Sequence, residues 1–302
     1  MKSDTLAAID LGSNAVRLLI NHVLFEENSY EMKKIAYLRV PIRLGEDVFT
    51  TGRVSEEKAE KLLSAFKGFQ EIMRAYGVSE VRVCATSAMR EAENGQALSL
   101  GIKQATGIAI ETISGQEEAD LVYAASSTCA MPGGNELALY VDVGGGSTEL
   151  VLYRDDVLVV HESFRIGTIR LLHCPGIARE MEKEKDRLAQ CLAELYALHA
   201  PRIVVASGGN INKIHKMLAK KKAEPLYLAD LQQLYETLKP LGNDERMRAF
   251  GLNYYRADVI VPALEIFLRL CGCCPSVSAI YVPKAGLSDG LIHAMCKKRL
   301  SP

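Results

Sequence analysis

The sequence predicts an α/β fold of two related domains, on three observations. Strand and helix signals alternate along most of the chain. A short motif of apolar strand, aspartate, apolar residue and glycine occurs twice without a gap. Ala8-Ile9-Asp10-Leu11-Gly12 sets against Tyr140-Val141-Asp142-Val143-Gly144, and Leu18-Leu19-Ile20 sets against Leu150-Val151-Leu152. With 302 residues and 48% hydrophobic composition, the chain is also longer than a single core usually organises. Apolar strands match one another easily, so the aspartate and glycine in register are what make the repeat informative.

The elements follow in order. Leu6 to Ile9, Val16 to Val23 and Met32 to Val40 read as an antiparallel meander, with Glu26-Glu27-Asn28-Ser29 as its second turn. Ser55 is placed to cap a helix with Glu56 and Glu57 in its first turn, and Leu62, Leu63, Phe66, Phe69, Ile72 and Tyr76 recur at helical spacing until Gly77. Val81 to Ala85 is a short strand, Ala88 to Ala105 a helix, Ala109 to Ile113 a strand and Gln116 to about Cys129 a helix, which is a βαβ alternation. Met131-Pro132-Gly133-Gly134-Asn135 breaks the chain. The second half repeats the plan with strands Leu137 to Val143, Thr148 to Arg154 and Val157 to Phe164, a charged helix from Ala178 to Leu198, and a buried strand Arg202 to Ala206. Pro262 falls inside the apolar run Ala257 to Leu270 and marks a helix start or a kink. Ser288 or Asp289 is placed to cap a final helix.

Charge narrows the function. A formal net charge of -1 lacks the broad basic field of a nucleic-acid binder, so any anion site must be local. The start of the chain is too short and too polar in its apolar stretch for a signal peptide or membrane span, which points to a cytoplasmic protein with no membrane partner. The cysteines lack paired zinc spacing, and Cys271-Gly272-Cys273-Cys274 reads as buried reduced thiols.

Asp10 and Asp142 each end an apolar strand just before a glycine turn, where a carboxylate projects toward whatever the turn holds. Two such carboxylates suit a hydrated magnesium ion, which keeps several waters and takes one or two protein carboxylates plus phosphate oxygens. The turns Gly12-Ser13-Asn14 and Gly144-Gly145-Gly146-Ser147-Thr148 offer backbone N–H groups and hydroxyls to phosphate. Ser207-Gly208-Gly209-Asn210 follows a buried strand and opens a helix, so Gly208 and Gly209 are further candidate anion contacts. Lys213, Lys216, Lys220, Lys221 and Lys222 form a basic tract, either a track for an extended polyanion or a solvated helix face.

Five ordered segments carry a resemblance across nearly the whole chain. They are Ala8 to Asn14 with Arg17; Arg43-Leu44-Gly45; Ala85-Thr86-Ser87-Ala88-Met89-Arg90-Glu91-Ala92; Ile113-Ser114-Gly115-Gln116-Glu117-Glu118-Ala119; and Asp142 to Leu150. The sequence resembles the exopolyphosphatase and guanosine pentaphosphate phosphohydrolase (Ppx/GppA) family of the actin-like ATPase superfamily. The resemblance implies two actin-like ATPase (ribonuclease H-like) domains, 1–127 and 128–285, with an interdomain cleft and a final helix, 286–302, packed back on the first domain.

It further implies Glu118 as general base, a magnesium or manganese ion near Asp10, Asp142 and Glu149, and phosphate contacts from Arg17, Arg43 and Arg90 as well as the turns. Arginine geometry suits phosphate oxygens better than lysine does. The substrate it implies is inorganic polyphosphate or guanosine pentaphosphate, and a homodimer is the expectation. Two positions depart from the family pattern: a Gly-Gly-Thr-type run is commoner at Gly208 to Asn210, and Gln116 stands where many relatives carry an acid. Glu149 also has a simpler reading, pairing with Arg17, its register equivalent in the first repeat. An ATP-dependent small-molecule kinase, a phosphonucleotide sensor and a filament-forming actin-like protein remain alternatives.

Overall fold

The computed structural model of the chain describes residues 2–126, 137–155, 157–173, 178–221, 223–274, 277 and 279–300. The chain divides into two compact units, Met1–Ala125 with Gly286–Pro302, and Ser126–Ala285. The expected break at Met131 to Asn135 and the expected end of the preceding helix at Cys129 lie outside the described residues.

The first unit opens with the meander β1 (Lys2–Leu11), β2 (Val16–Phe25) and β3 (Tyr30–Val40). α1 (Leu44–Thr51), α2 (Glu56–Ala75), β4 (Glu80–Ala85), α3 (Ser87–Glu91), α4 (Gly95–Thr106), β5 (Glu111–Thr112) and α5 (Gly115–Ser126) follow. The sheet order is β3-β2-β1-β4-β5, with β1 antiparallel to β2 and parallel to β4. β1 is apolar on both faces because both are covered. Ala7, Ile9 and Leu11 face Leu62, Phe66, Phe69 and Met73 of α2, which recur at helical spacing, while Leu6 and Ala8 join a second cluster. Each large side chain buried in this way contributes roughly 1.5–3 kcal/mol. Ser55 caps α2 as expected, its hydroxyl accepting the Lys58 N–H at 3.4 Å.

Two expectations in this unit need correction. The helix expected over Ala88 to Ala105 is two helices. Asn94 is bound both ways to Val54, accepting its N–H at 3.0 Å and donating to its carbonyl at 2.9 Å, and this draws the chain out of helical geometry. The strand expected over Ala109 to Ile113 shrinks to Glu111–Thr112, where only Cys84 and Ala85 remain to pair with it.

The second unit repeats the plan with β6 (Ala138–Val143), β7 (Thr148–Arg154), β8 (Val157–Phe164), α6 (Thr168–His173), α7 (Ala178–His199), β9 (Ile203–Ser207) and α8 (Gly209–Met217). β10 (Leu226–Tyr227), α9 (Leu228–Leu238), α10 (Asn243–Phe250), α11 (Tyr254–Ala257), α12 (Ile260–Gly272) and β11 (Ala279–Tyr281) complete it. Its sheet runs β8-β7-β6-β9-β11-β10, the order of the first unit with one strand added. The repeat extends to register: Asp10 pairs Arg17 across β1 and β2 as Asp142 pairs Glu149 across β6 and β7. Asp10 lies beside Cys84 of parallel β4 as Asp142 lies beside Ser207 of parallel β9. Pro262 occupies the first turn of α12, where its missing N–H leaves no intrahelical bond unmade. Burial raises the Cys271 and Cys274 thiols to about 12, so they stay protonated.

The chain then returns to the first unit as α13 (Leu287–Leu300). Leu287, Leu291, Ile292, Met295 and Cys296 pack with Leu6, Ala8, Leu19 and Val122 on the face of the sheet opposite α2. Gly290 sits so close to α5 that a Cβ there would lie 2.2 Å from the Leu121 carbonyl oxygen. Neither Ser288 nor Asp289 is the cap residue. The helix starts after Gly286, and Asp289 reaches back from the first turn to accept the Gly286 N–H at 3.1 Å.

Candidate active site

Both glycine turns are built alike. Gly12 N–H donates to the Ala15 carbonyl at 3.1 Å, and at the matching position Gly144 N–H donates to the Ser147 carbonyl at 2.9 Å. In each unit the turn's carbonyls are then drawn to one side by a short helix that follows the third strand. In the second unit, Thr168 N–H donates to Gly144 at 3.1 Å, Ile169 and Arg170 N–H donate to Gly145 at 2.8 and 3.1 Å, and Arg170 Nε donates to Gly146 at 2.9 Å. A trans peptide points its N–H opposite to its carbonyl, so the N–H groups of Gly145, Gly146 and Ser147 face away from α6. Such a row forms an anion-accepting concavity. In the first unit, Gly45 N–H holds the Ser13 carbonyl at 2.9 Å and Arg43 N–H holds Asn14 at 3.1 Å, which aims the N–H groups of Asn14 and Ala15 in the same sense.

Side chains on the turns are less available than the sequence implied. Ser13 is buried, its hydroxyl 2.8 Å from Ser87 Oγ, which ties the first turn to the start of α3. Thr148 is fully buried and donates to the Ile166 carbonyl at 2.7 Å, so its hydroxyl braces the turn. Asn14 Oδ1 is buried with no hydrogen-bond partner among the described residues.

Arg43 is held at both its backbone and its side chain. It is 4% exposed, adopts a left-handed backbone with φ 60°, and its Nε is bound to Glu46. It touches the first turn through its backbone N–H, and its side chain sits in a half-buried ion network. Lys58 Nζ closes that network, reaching the Arg43 carbonyl at 2.7 Å, Glu46 at 2.9 Å and Asp47 at 2.6 Å. Burial alone would raise both carboxyls, but the Lys58 hydrogen bonds outweigh it, helped by Arg43 at Glu46 and by Ser55 at Asp47, and both are held below their ordinary values of 4.5 and 3.8. Groups depressed in the folded state add stability above their unfolded values and lose it as pH falls through the folded ones. Lys58→Met therefore destabilises the protein at pH 7, and the difference from wild type shrinks below about pH 4 as the carboxyls protonate in both. Urea unfolding at pH 7 and pH 3.5 measures this.

The two adjacent glutamates of α5 separate cleanly. Ser114 N–H donates to Glu117 Oε2 at 2.8 Å, and Glu117 N–H donates to Ser114 Oγ at 3.1 Å, a reciprocal cap on the first turn. Those bonds hold the Glu117 carboxyl below its usual range. Glu118 is half-buried and takes no part in that cap. Arg90 Nη1 donates to the Ile113 carbonyl at 2.6 Å, one residue before Ser114, so this arginine fixes the loop from which α5 starts.

At the strand ends the two units diverge in charge. Asp10 is bound to Arg17, whose guanidinium also lies over Gly12. The matching pair in the second unit is two carboxylates, Asp142 and Glu149. Glu149 is 3% exposed; Oε1 accepts from Ser163 Oγ at 2.9 Å, whereas Oε2 has no hydrogen bond and lies 3.6 Å from His161 Nε2. Gly208, with φ 102°, brings the start of α8 against this site: a Cβ there would fall 2.8 Å from Asp142 Oδ1.

The sequence model of the Ppx/GppA phosphatase family matches residues 23–299. The chain belongs to that family. It is similar to an exopolyphosphatase from Cytophaga hutchinsonii, with 25% identity over 98% of each chain and a TM-score of 0.87. It shares the fold of the Aquifex aeolicus Ppx/GppA family member, with 23% identity over 99% of each chain and a TM-score of 0.77. An exopolyphosphatase-like protein aligns over 100% of each chain at 23% identity and a TM-score of 0.80. The fold is the two-domain actin-like fold of Ppx/GppA proteins, and the activity class is that of a phosphatase.

For a Ppx/GppA phosphatase, several residues that sequence reasoning missed support the second turn. Gly167 lies against it: a Cβ there would fall 2.3 Å from the Gly145 carbonyl oxygen. Arg170 is 3% exposed under Gly146. Arg256 Nη1 donates to Asn210 Oδ1 at 2.8 Å and covers Gly209, and Asn210 Nδ2 lies 3.5 Å from Thr168 Oγ1. The basic tract is not continuous. Lys220 is bound to Asp230 at 2.9 Å and Glu224 at 3.5 Å, and Lys222 lies outside the described residues. Lys213 remains near Lys216 and Arg256, and burial together with these two cations lowers its pKa. Among the described residues, no helix is long and apolar enough to cross a membrane.

Proposed function

We propose that this Ppx/GppA phosphatase hydrolyses the terminal phosphoanhydride of inorganic polyphosphate or guanosine pentaphosphate with the help of a divalent cation. The observation that supports this reading most is the pair of turns in which the carbonyls of Ser13 and Asn14, and of Gly144, Gly145 and Gly146, are drawn back, leaving the N–H groups that follow them to receive phosphate oxygens.

The donor set fits magnesium or manganese in the second unit. Asp142 and Glu149 are carboxylates paired across β6 and β7, and among the described residues the buried Glu149 Oε2 accepts no hydrogen bond, with His161 Nε2 3.6 Å away, which supports a cation at this oxygen. Among the described residues no three His, Cys, Asp or Glu side chains gather as a ready metal cage. Two carboxylates suit an ion that keeps most of its waters. Asp10, matched by Arg17, is the weaker ligand of the three expected. When bound, the ion neutralises phosphate charge and polarises the terminal phosphoryl group.

In this reading Glu118 accepts a proton from water as the water oxygen bonds to the terminal phosphorus. The bridging P–O bond breaks and the shortened chain leaves as an oxyanion. Arg17 and the turn N–H groups hold the phosphate oxygens, so positioning and charge stabilisation supply most of the acceleration. Phosphate release from polyphosphate, guanosine pentaphosphate and ATP, each with Mg²⁺ and with chelator, tests it. Metal-dependent release from either of the first two is expected, and no release from any would overturn the reading.

A further inference from the structure

Across the three strands of each meander, one row of residues lies in register at the turn. In the first unit the row is Asp10, Arg17 and Arg39; in the second it is Asp142, Glu149 and Ser163. Directly paired antiparallel residues project from the same face, so each row is a line of neighbours. The first row balances its carboxylate with cations. The second pairs two carboxylates and ends on a neutral hydroxyl.

We propose that Ser163 is a positioning residue for the divalent cation, holding Glu149 in the orientation that lets it act with Asp142; this rests on the metal reading above. Ser163 Oγ donates to Glu149 Oε1 at 2.9 Å. That bond fixes the carboxylate's rotation and leaves Oε2, which has no hydrogen bond among the described residues and faces His161 Nε2 at 3.6 Å, as the oxygen turned toward a cation. A hydroxyl orients the carboxylate without cancelling its charge, as an arginine or lysine at this place would. Ser163 is itself exposed, so the hydroxyl adds little to the core. The strand end that carries it is pinned from α7: Arg187 Nη2 donates to the Ser163 carbonyl, and Glu184 Oε2 accepts the Arg165 N–H at 2.9 Å. Groups that hydrogen-bond a metal-ligating carboxylate typically set affinity by about 10–100-fold.

The test is Mn²⁺ binding to the metal-free protein by electron paramagnetic resonance, for wild type, Ser163→Ala and Ser163→Thr, with thermal midpoints alongside. Ser163→Ala is expected to weaken Mn²⁺ binding by about 10-fold in metal-free protein that is still folded at the assay temperature, and Ser163→Thr, which keeps the hydroxyl, to restore it. Equal affinity in wild type and Ser163→Ala overturns the role of Ser163 while leaving the metal reading intact. Absence of Mn²⁺ binding in wild type overturns the metal reading, and the role of Ser163 with it.

Discussion

Gly167→Ala lowers phosphate release by about 100-fold and destabilises the protein by about 3 kcal/mol. The added methyl would sit 2.3 Å from the Gly145 oxygen and 2.4 Å from the Gly146 nitrogen, both backbone atoms that a side-chain rotation cannot relieve. Either the turn or the start of α6 must move by more than an ångström. Each carbonyl of Gly144, Gly145 and Gly146 is held by α6, so the displacement spreads through the N–H groups of Gly145, Gly146 and Ser147, the row proposed to receive phosphate. Steady-state kinetics and urea unfolding measure the two effects. A variant with wild-type kcat/KM would show that the turn is not an anion site.

Glu118→Gln lowers kcat by about 10²–10⁴-fold, whereas Glu117→Gln stays within a few-fold of wild type. The two residues are neighbours of identical chemistry, and the difference lies in what each already does. Glu117 is committed to the Ser114 cap at 2.8 Å, which a glutamine amide oxygen can still accept, while Glu118 stands outside the cap. Substrate affinity should change little in Glu118→Gln, because the lost group handles the water rather than the phosphates. If Glu117→Gln fell and Glu118→Gln did not, the base would be misassigned.

The sequence was most legible where period and register coincide. The hairpins around Asp10 and Asp142 could be read because each strand is long, apolar and ended by the same Asp-x-Gly signal, and their register agrees residue for residue. What escaped is short. α6 has six residues, too few to show a helical period, yet it holds the second turn; α1, beginning at Leu44, does the same for the first. The break at Asn94 was invisible because it depends on Val54, 40 residues away. Arg43, expected from the family resemblance to contact phosphate, also has a local role that no motif showed: its carbonyl accepts from Lys58 and its Nε is bound to Glu46. The distinction between Glu117 and Glu118 was readable in principle, since Ser114-x-x-Glu117 is a capping-box spacing.

The account depends on water being the group that attacks the terminal phosphorus, and isotopic labelling tests that step directly. Polyphosphate or guanosine pentaphosphate is turned over in H₂¹⁸O with Mg²⁺, and the released phosphate is analysed by mass spectrometry. The account predicts one ¹⁸O in each phosphate released. Unlabelled phosphate, or phosphate recovered on an added acceptor instead, would contradict it and place this Ppx/GppA chain among the phosphotransferring members of its fold.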